Sequence, residues 1–228
     1  MSADKRRVSS GMHCEIVGSL AQHVLFEFER DDQLWLSNGS IMSHTRHVEW
    51  SLQVPAGLSG ALRRSLSGEG MSLTHARATS PGQHLRAAPG TLGHIRAWDL
   101  SQGPLLTTRG AFLAAWGEVD ISVTVARRAG AALFGGAGLF LQHLSGQGTV
   151  LIQGSGDLLE HKLHGGESQL VSTGHLAAFS ASVDYGIEAV GGVRKLLFGG
   201  EGLFMTRLCG PGTAYLQSLK RASTAKAP

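Results

Sequence analysis

The chain writes one unit three times, and that repetition limits its possible folds more than any other property. Phe134-Gly-Gly-Ala-Gly-Leu-Phe-Leu-Gln-His-Leu-Ser-Gly-Gln-Gly-Thr149 matches Phe198-Gly-Gly-Glu-Gly-Leu-Phe-Met-Thr-Arg-Leu-Cys-Gly-Pro-Gly-Thr213 without a gap, 64 residues later. A degenerate third copy, Ser67-Gly-Glu-Gly-Met-Ser-Leu-Thr-His-Ala76, precedes Pro81-Gly82, with two extra residues before that glycine. Upstream, Arg109 to Asp120 parallels Thr173 to Asp184 at the same offset, and Asn38 to Glu49 is the first copy, 71 residues ahead of the second.

Each copy then enters strict alternation: Val48, Trp50, Leu52, Val54; Val119, Ile121, Val123, Val125; Val183, Tyr185, Ile187, Ala189. Polar residues fill the positions between, as in a half-buried strand. A one-residue slip would send every large apolar side chain into water, so Trp50, Tyr185 and the row from Val119 to Val125 are expected to face the core. Glu49, Asp120 and Asp184 mark one shared polar position. The glycine-rich segments supply turns, and Gly138 and Gly202 are expected at repeat-equivalent turn positions where a side chain would clash or φ is positive. A second strand follows over 139–144 or 203–208, with large apolar residues on both faces, placing it between layers. Gly210-Pro211-Gly212 turns the chain into a third strand over 214–216.

Units of about 64 to 71 residues close a core poorly alone. The expected fold is therefore all-β: three tandem β repeats (about 12–88, 89–155 and 156–219) packed as one domain with pseudo-threefold symmetry, double-stranded β-helix or sandwich-like. Residues 1–11 and 220–228 read as tails. The 42% hydrophobic content of this 228-residue chain suffices for such a core.

Charge location narrows the partners. The formal net charge is +3, yet Lys5, Arg6, Arg7, Lys220, Arg221 and Lys226 all lie in the tails. Residues 8–219 are near −2, so a basic groove tracking phosphates, and with it sequence-specific nucleic-acid binding, is not expected. No run of about 18 apolar residues exists, and the basic residues of the N-terminus have no apolar stretch behind them, so neither a transmembrane segment nor a secretory signal is expected. Two cysteines, Cys14 and Cys209, make no disulfide framework, which fits a reducing, cytoplasmic setting.

The Gly-Gly-Glu-Gly-Leu-Phe run at 199–204, Gly-Pro-Gly-Thr at 210–213, Thr-Gly-His-Leu-Ala-Ala-Phe at 173–179 and Val-Asp-Tyr at 183–185 resemble the family named for altered inheritance of mitochondria, number 24. The resemblance covers about residues 12–219. It implies mostly-β proteins of repeated units, similar in fold to the tryptophan RNA-binding attenuation protein. It also implies a tie to mitochondrial inner-membrane organisation in fungi and a cytoplasmic, uncharacterised role in bacteria. It carries over no catalytic residues. The first repeat departs most, with Ser72 where the other copies have Phe140 and Phe204.

Candidate sites are few. Among the eleven histidines the densest group is His44, His47 and Glu49, but on a continuous strand His47 and Glu49 share a face while His44 points away. The same parity separates His161 from His164, so no metal ligand set is assigned. The glycine runs lack the Gly-x-x-x-x-Gly-Lys-Ser/Thr pattern and lead into strands, and no Gly-x-Ser-x-Gly elbow occurs, so neither a cofactor nor a catalytic residue is assigned. A basic pair precedes each glycine motif: Arg63-Arg64, Arg127-Arg128 and Arg194-Lys195. Duplication and charged strand edges account for such pairs; gathered by threefold symmetry, they become candidate anion- or partner-binding residues. The expected function is a non-enzymatic binding or scaffold protein that self-associates through β edges into a homo-oligomer, with a protein or an anionic membrane surface as further partner. The competing readings are a metal- or small-molecule-dependent enzyme on a cupin-like barrel, and RNA binding by fold analogy.

Overall fold

In the computed structural model, the described residues are 12–54, 72–126, 139–189 and 204–221. They form an all-β protein. The first unit contributes β1 (His13–Val17), β2 (His23–Phe28), β3 (Gln33–Ser37), β4 (Ile41–His44), β5 (Val48–Gln53), β6 (Leu73–Ala78) and β7 (Gln83–Ala87). From the second come β8 (Gly93–Asp99), β9 (Leu105–Thr108), β10 (Phe112–Ala126) and β11 (Leu139–Ser155). The third adds β12 (Leu158–Leu163), β13 (Ser168–Ser172), β14 (Leu176–Ser180), β15 (Asp184–Ala189), β16 (Phe204–Cys209) and β17 (Gly212–Gln217). All strand pairs are antiparallel, in sheets ordered β1-β2-β7-β4, β12-β17-β14-β9-β11-β10-β3-β6-β5 with β8 on β11, and β13-β16-β15.

The ladders cross unit boundaries. β3 pairs with β6 of its own unit and also with β10 of the next, through Leu36↔Ala114 and Trp35↔Ala115. β9 pairs with β11 of its own unit and with β14 of the next, through Thr107↔Ala178 and Leu106↔Phe179. Both faces of these interior strands are covered: all of β9 and all of β14 is buried. β16 is different, burying Thr206 and Leu208 while Met205 and Arg207 stay half-buried, so the between-layer position belongs to β9 and β14.

Three hairpins carry the repeat motifs: β5/β6, β10/β11 and β15/β16. Their registers correspond, because the sequence offsets carry Glu49↔Arg77 onto Asp120↔Ser145 and then onto Asp184↔Cys209. In the first and third units the chain leaves the sheet between β4 and β5 and between β14 and β15. In the second unit β10 runs straight through, and glycine makes this possible. Gly117 (φ +93°) and Gly146 (φ +107°) adopt backbone that side chains resist, and a Cβ on Gly117 would lie 2.6 Å from the Gln147 carbonyl oxygen. A Cβ on Gly146 would overlap the Glu118 carbonyl oxygen. The two backbones are too close here for any side chain.

The core is layered along the sheets. One cluster joins Phe26, Phe28, Leu34, Leu36 and Leu85 of the first unit to Leu113, Trp116 and Leu151 of the second. Phe26 meets Trp116 edge-on, with ring centroids 5.8 Å apart, a favoured aromatic geometry. A second cluster joins Leu73, Phe112, Ile121 and Leu144 to Leu158 and Tyr215, and a third joins Leu106 and Leu141 to Phe179 and Leu208. Each therefore spans more than one unit. Burial pushes the Cys14 thiol up to about 11 and the Tyr215 phenol up to about 12, so both stay neutral at physiological pH.

Two outcomes are expected from this packing. Replacing Ile121, which is buried, by Ala costs about 2 to 5 kcal/mol as a core truncation, whereas Ser122→Ala on the opposite face stays within about 0.5 kcal/mol; urea midpoints of the two variants measure the difference. Gly146→Val forces both a clash and a disfavoured φ, and lowers stability by at least about 1 to 3 kcal/mol in the same assay.

Candidate interaction surface

The six basic residues Arg63, Arg64, Arg127, Arg128, Arg194 and Lys195 lie outside the described residues, as do Gly138 and Gly202. The recurring acids are placed: Glu49, Asp120 and Asp184 are all exposed, at one equivalent register position of the three hairpins. What faces each of them differs. Across from Glu49 stands Arg77, whose guanidinium forms an ion pair with Asp31; that hydrogen bond first, then the Asp31 charge, raises its pKa. Across from Asp184 stands Cys209, whose sulfur accepts a hydrogen bond from Arg207 Nη1 at 2.6 Å. Arg207 also lies 2.9 Å from Glu188 and 3.6 Å from Asp184. The Cys209 sulfur and then these carboxylates raise its pKa. Such half-exposed pairs fix hairpin geometry more than they stabilise the fold.

The histidines are arranged differently from the continuous strand assumed for them. The chain ends β4 at His44, turns through Thr45, Arg46 and His47, and starts β5 at Val48, so strand parity does not relate His44 to Glu49. His44 Nδ1 bonds the Thr45 carbonyl at 2.9 Å. His164 likewise follows β12 rather than belonging to it, and its backbone N–H donates to Glu167 Oε2 at 2.9 Å, while His161 Nε2 lies 3.8 Å from Glu167 Oε1. Among the described residues, no three His, Cys, Asp or Glu side chains converge as a metal site.

The apolar rows correct the sequence reading in one unit. Ile121 is buried as expected, Val119 packs against the same cluster, and Tyr185 is half-buried against Phe179 at a centroid distance of 5.1 Å. In β5 only Val48 is buried; Trp50 and Leu52 are exposed, Trp50 by 52%, as is Val54 just after the strand. The reason is position: among the described residues β5 ends its sheet, with β6 as its one ladder partner, and alternation describes a strand's two faces without saying whether a layer covers them. Met42 on β4 is exposed as well, beside a cleft of about 400 Å³ lined by Gln22, His23, Pro89, Thr91 and Leu92. Nothing in the alternation marks Met42, because the positions matching it in the other units, Leu113 and Ala177, are equally apolar and fully buried.

A titration follows from the contact of Trp35 and His75, whose rings are tilted by 56° with centroids 4.6 Å apart. Burial, and secondly the Arg77 charge, hold His75 below its ordinary 6.5. The unfolded chain therefore binds this proton more readily, and the contribution is fully present above about pH 6.5 and is lost as pH falls below it. His75→Phe is expected to flatten that part of the stability–pH curve in chemical denaturation. Trp50→Ala, in contrast to Ile121→Ala, is expected to cost less than about 1 kcal/mol, since most of the ring is already in water.

Comparison with known proteins agrees with this architecture. An uncharacterised protein of Streptococcus pyogenes serotype M6 is 34% identical over 204 residues, which span 86% of this chain and 81% of that protein. The X-ray crystal structure of protein SPYM3_0169 from Streptococcus pyogenes superposes with a TM-score of 0.74 at 30% identity, covering 92% of this chain and 94% of that one. No described helix is long and apolar enough to cross a membrane. The family model described as Mitochondrial biogenesis AIM24 matches residues 14–219, and the chain belongs to that family.

Proposed function

We propose that this chain is a non-enzymatic binding or scaffold protein whose three β units share one domain about a pseudo-threefold axis, in the manner of a short double-stranded β-helix, and which self-associates through its strand edges. The observation that carries the reading is the exposed row Trp50 and Leu52 on an edge strand, continued by Val54 just beyond it, where the residue matching Trp50 in the second unit, Ile121, is buried. Contiguous exposed apolar side chains beside an unpaired edge mark an interaction surface. The matching registers of the three hairpins support the threefold arrangement. A homo-oligomer in the cytoplasm is the expected form. The basic pairs at 63–64, 127–128 and 194–195 would then serve a second partner, an acidic protein or an anionic membrane surface.

Light scattering at micromolar concentration tests the first part: the expected mass is a multiple of the 24.0 kDa chain, and a monomer up to about 50 μM removes self-association. Flotation with vesicles containing anionic lipid tests the second. Binding that weakens with salt and with Arg127→Glu and Arg128→Glu is expected, and salt-independent binding refutes a role for the basic pairs.

A further inference from the structure

We propose that β13 of one copy adds antiparallel to the free edge of β4 in a second copy, and reciprocally, so that two chains close a twofold dimer through two such seams. The proposal rests on the self-association reading above and names the strands that perform it.

Two seams inside the chain show what a unit boundary requires. β3 covers the edge of β10, and β9 covers the edge of β14. The strand matching β3 and β9 in the third unit is β13, and the strand matching the start of β10 and β14 in the first is β4. Neither finds its counterpart within one copy: β13 pairs with β16 alone and β4 with β7 alone among the described residues. The side chains report the same vacancy. Met42, Ser43 and His44 are all exposed, Met42 by 63%, whereas Leu113, Ala114 and Ala115, and likewise Ala177, Ala178 and Phe179, are fully buried at the formed seams. Leu170 of β13 is 45% exposed where the matching Leu106 is buried.

The composition of the edges selects them. The other described strands at sheet edges carry charge: Glu15 on β1, Glu49 on β5, Arg96 and Asp99 on β8, Glu160 and Lys162 on β12, and Asp184 and Glu188 on β15. Charge on an edge disfavours strand addition, which leaves β5 to contribute its exposed apolar face rather than its edge. β4 reads Ile-Met-Ser-His and β13 reads Ser-Gln-Leu-Val-Ser, with neither Lys, Arg, Asp, Glu nor Pro. One chain thus holds one unprotected edge of each kind, and reciprocal pairing satisfies both at two copies, where a single head-to-tail contact would propagate. Extending the register of the formed seams places His44 opposite Leu170.

Cysteine pairing tests this. Opposed residues of an antiparallel ladder have Cα atoms about 4.5 to 5.5 Å apart, inside the range a disulfide spans. In a Cys209→Ser background, His44→Cys chains mixed with Leu170→Cys chains are expected to form a disulfide-linked dimer on mild oxidation. The chain carrying both changes is expected to give a doubly linked dimer of twice the chain mass. Cross-linking wholly within single chains of the double variant would overturn the proposal in favour of a closed monomeric ring, and a ladder of longer linked species would overturn the reciprocal closure. Leu170→Lys places a charge in the seam and is expected to raise the dissociation constant at least about tenfold; an unchanged value contradicts the seam. An oligomer by light scattering with no His44→Cys to Leu170→Cys link removes this assignment and leaves self-association standing, whereas a monomer removes both.

Discussion

Strand addition across unit boundaries is the interaction on which the rest of this structure depends. β3 and β9 each contribute one ladder to their own hairpin and one to the next unit, so that no unit completes its sheet alone. The burial follows from that exchange. Ala114, Ala115, Ala178 and Phe179 are fully buried because a neighbouring unit's strand lies along them, and each hydrophobic cluster draws residues from more than one unit. Small residues at three of these four positions let the interior strand approach closely while both of its faces stay packed.

The hairpins meet a second constraint in the first and third units, where the chain passes from one sheet to another. Two units solve it by leaving the strand at a turn, at 45–47 and at 181–183. The second unit keeps β10 continuous within one sheet, with Gly117 and Gly146 at positive φ where the backbones approach too closely for a Cβ. The same sequence unit thus yields two local geometries, and the glycines of the Gly-x-Gly segment at 146–148 are what permit the continuous one. In the third unit the corresponding glycines flank Pro211, which donates no backbone hydrogen bond, and there the strand stops.

Much of the fold was legible in the residues. The 64-residue offset identified the hairpins, and period-two alternation assigned the core face of β10 correctly at Ile121. Alternation failed at Trp50 because it is a property of one strand, whereas exposure depends on the layer above, and that layer comes from another part of the chain. The histidine argument used strand parity, which holds only within a continuous strand, and the chain turns after His44 where the matching run after Ala115 continues through Gly117. The charge-free edges were visible as sequence from the start. They acquire meaning only once the topology shows which strands lack a neighbour.

The middle unit holds both of the formed seams, and β11 alone pairs with β8, β9 and β10 along its 17 residues. The first and the third unit each take part in one seam, whereas the second takes part in both. Cooperativity in this chain is therefore graded by position rather than shared equally among three similar sequences. Slow hydrogen exchange should concentrate along β11, and the outer units should breathe around it, so that a duplicated sequence acquires a centre through its connectivity alone.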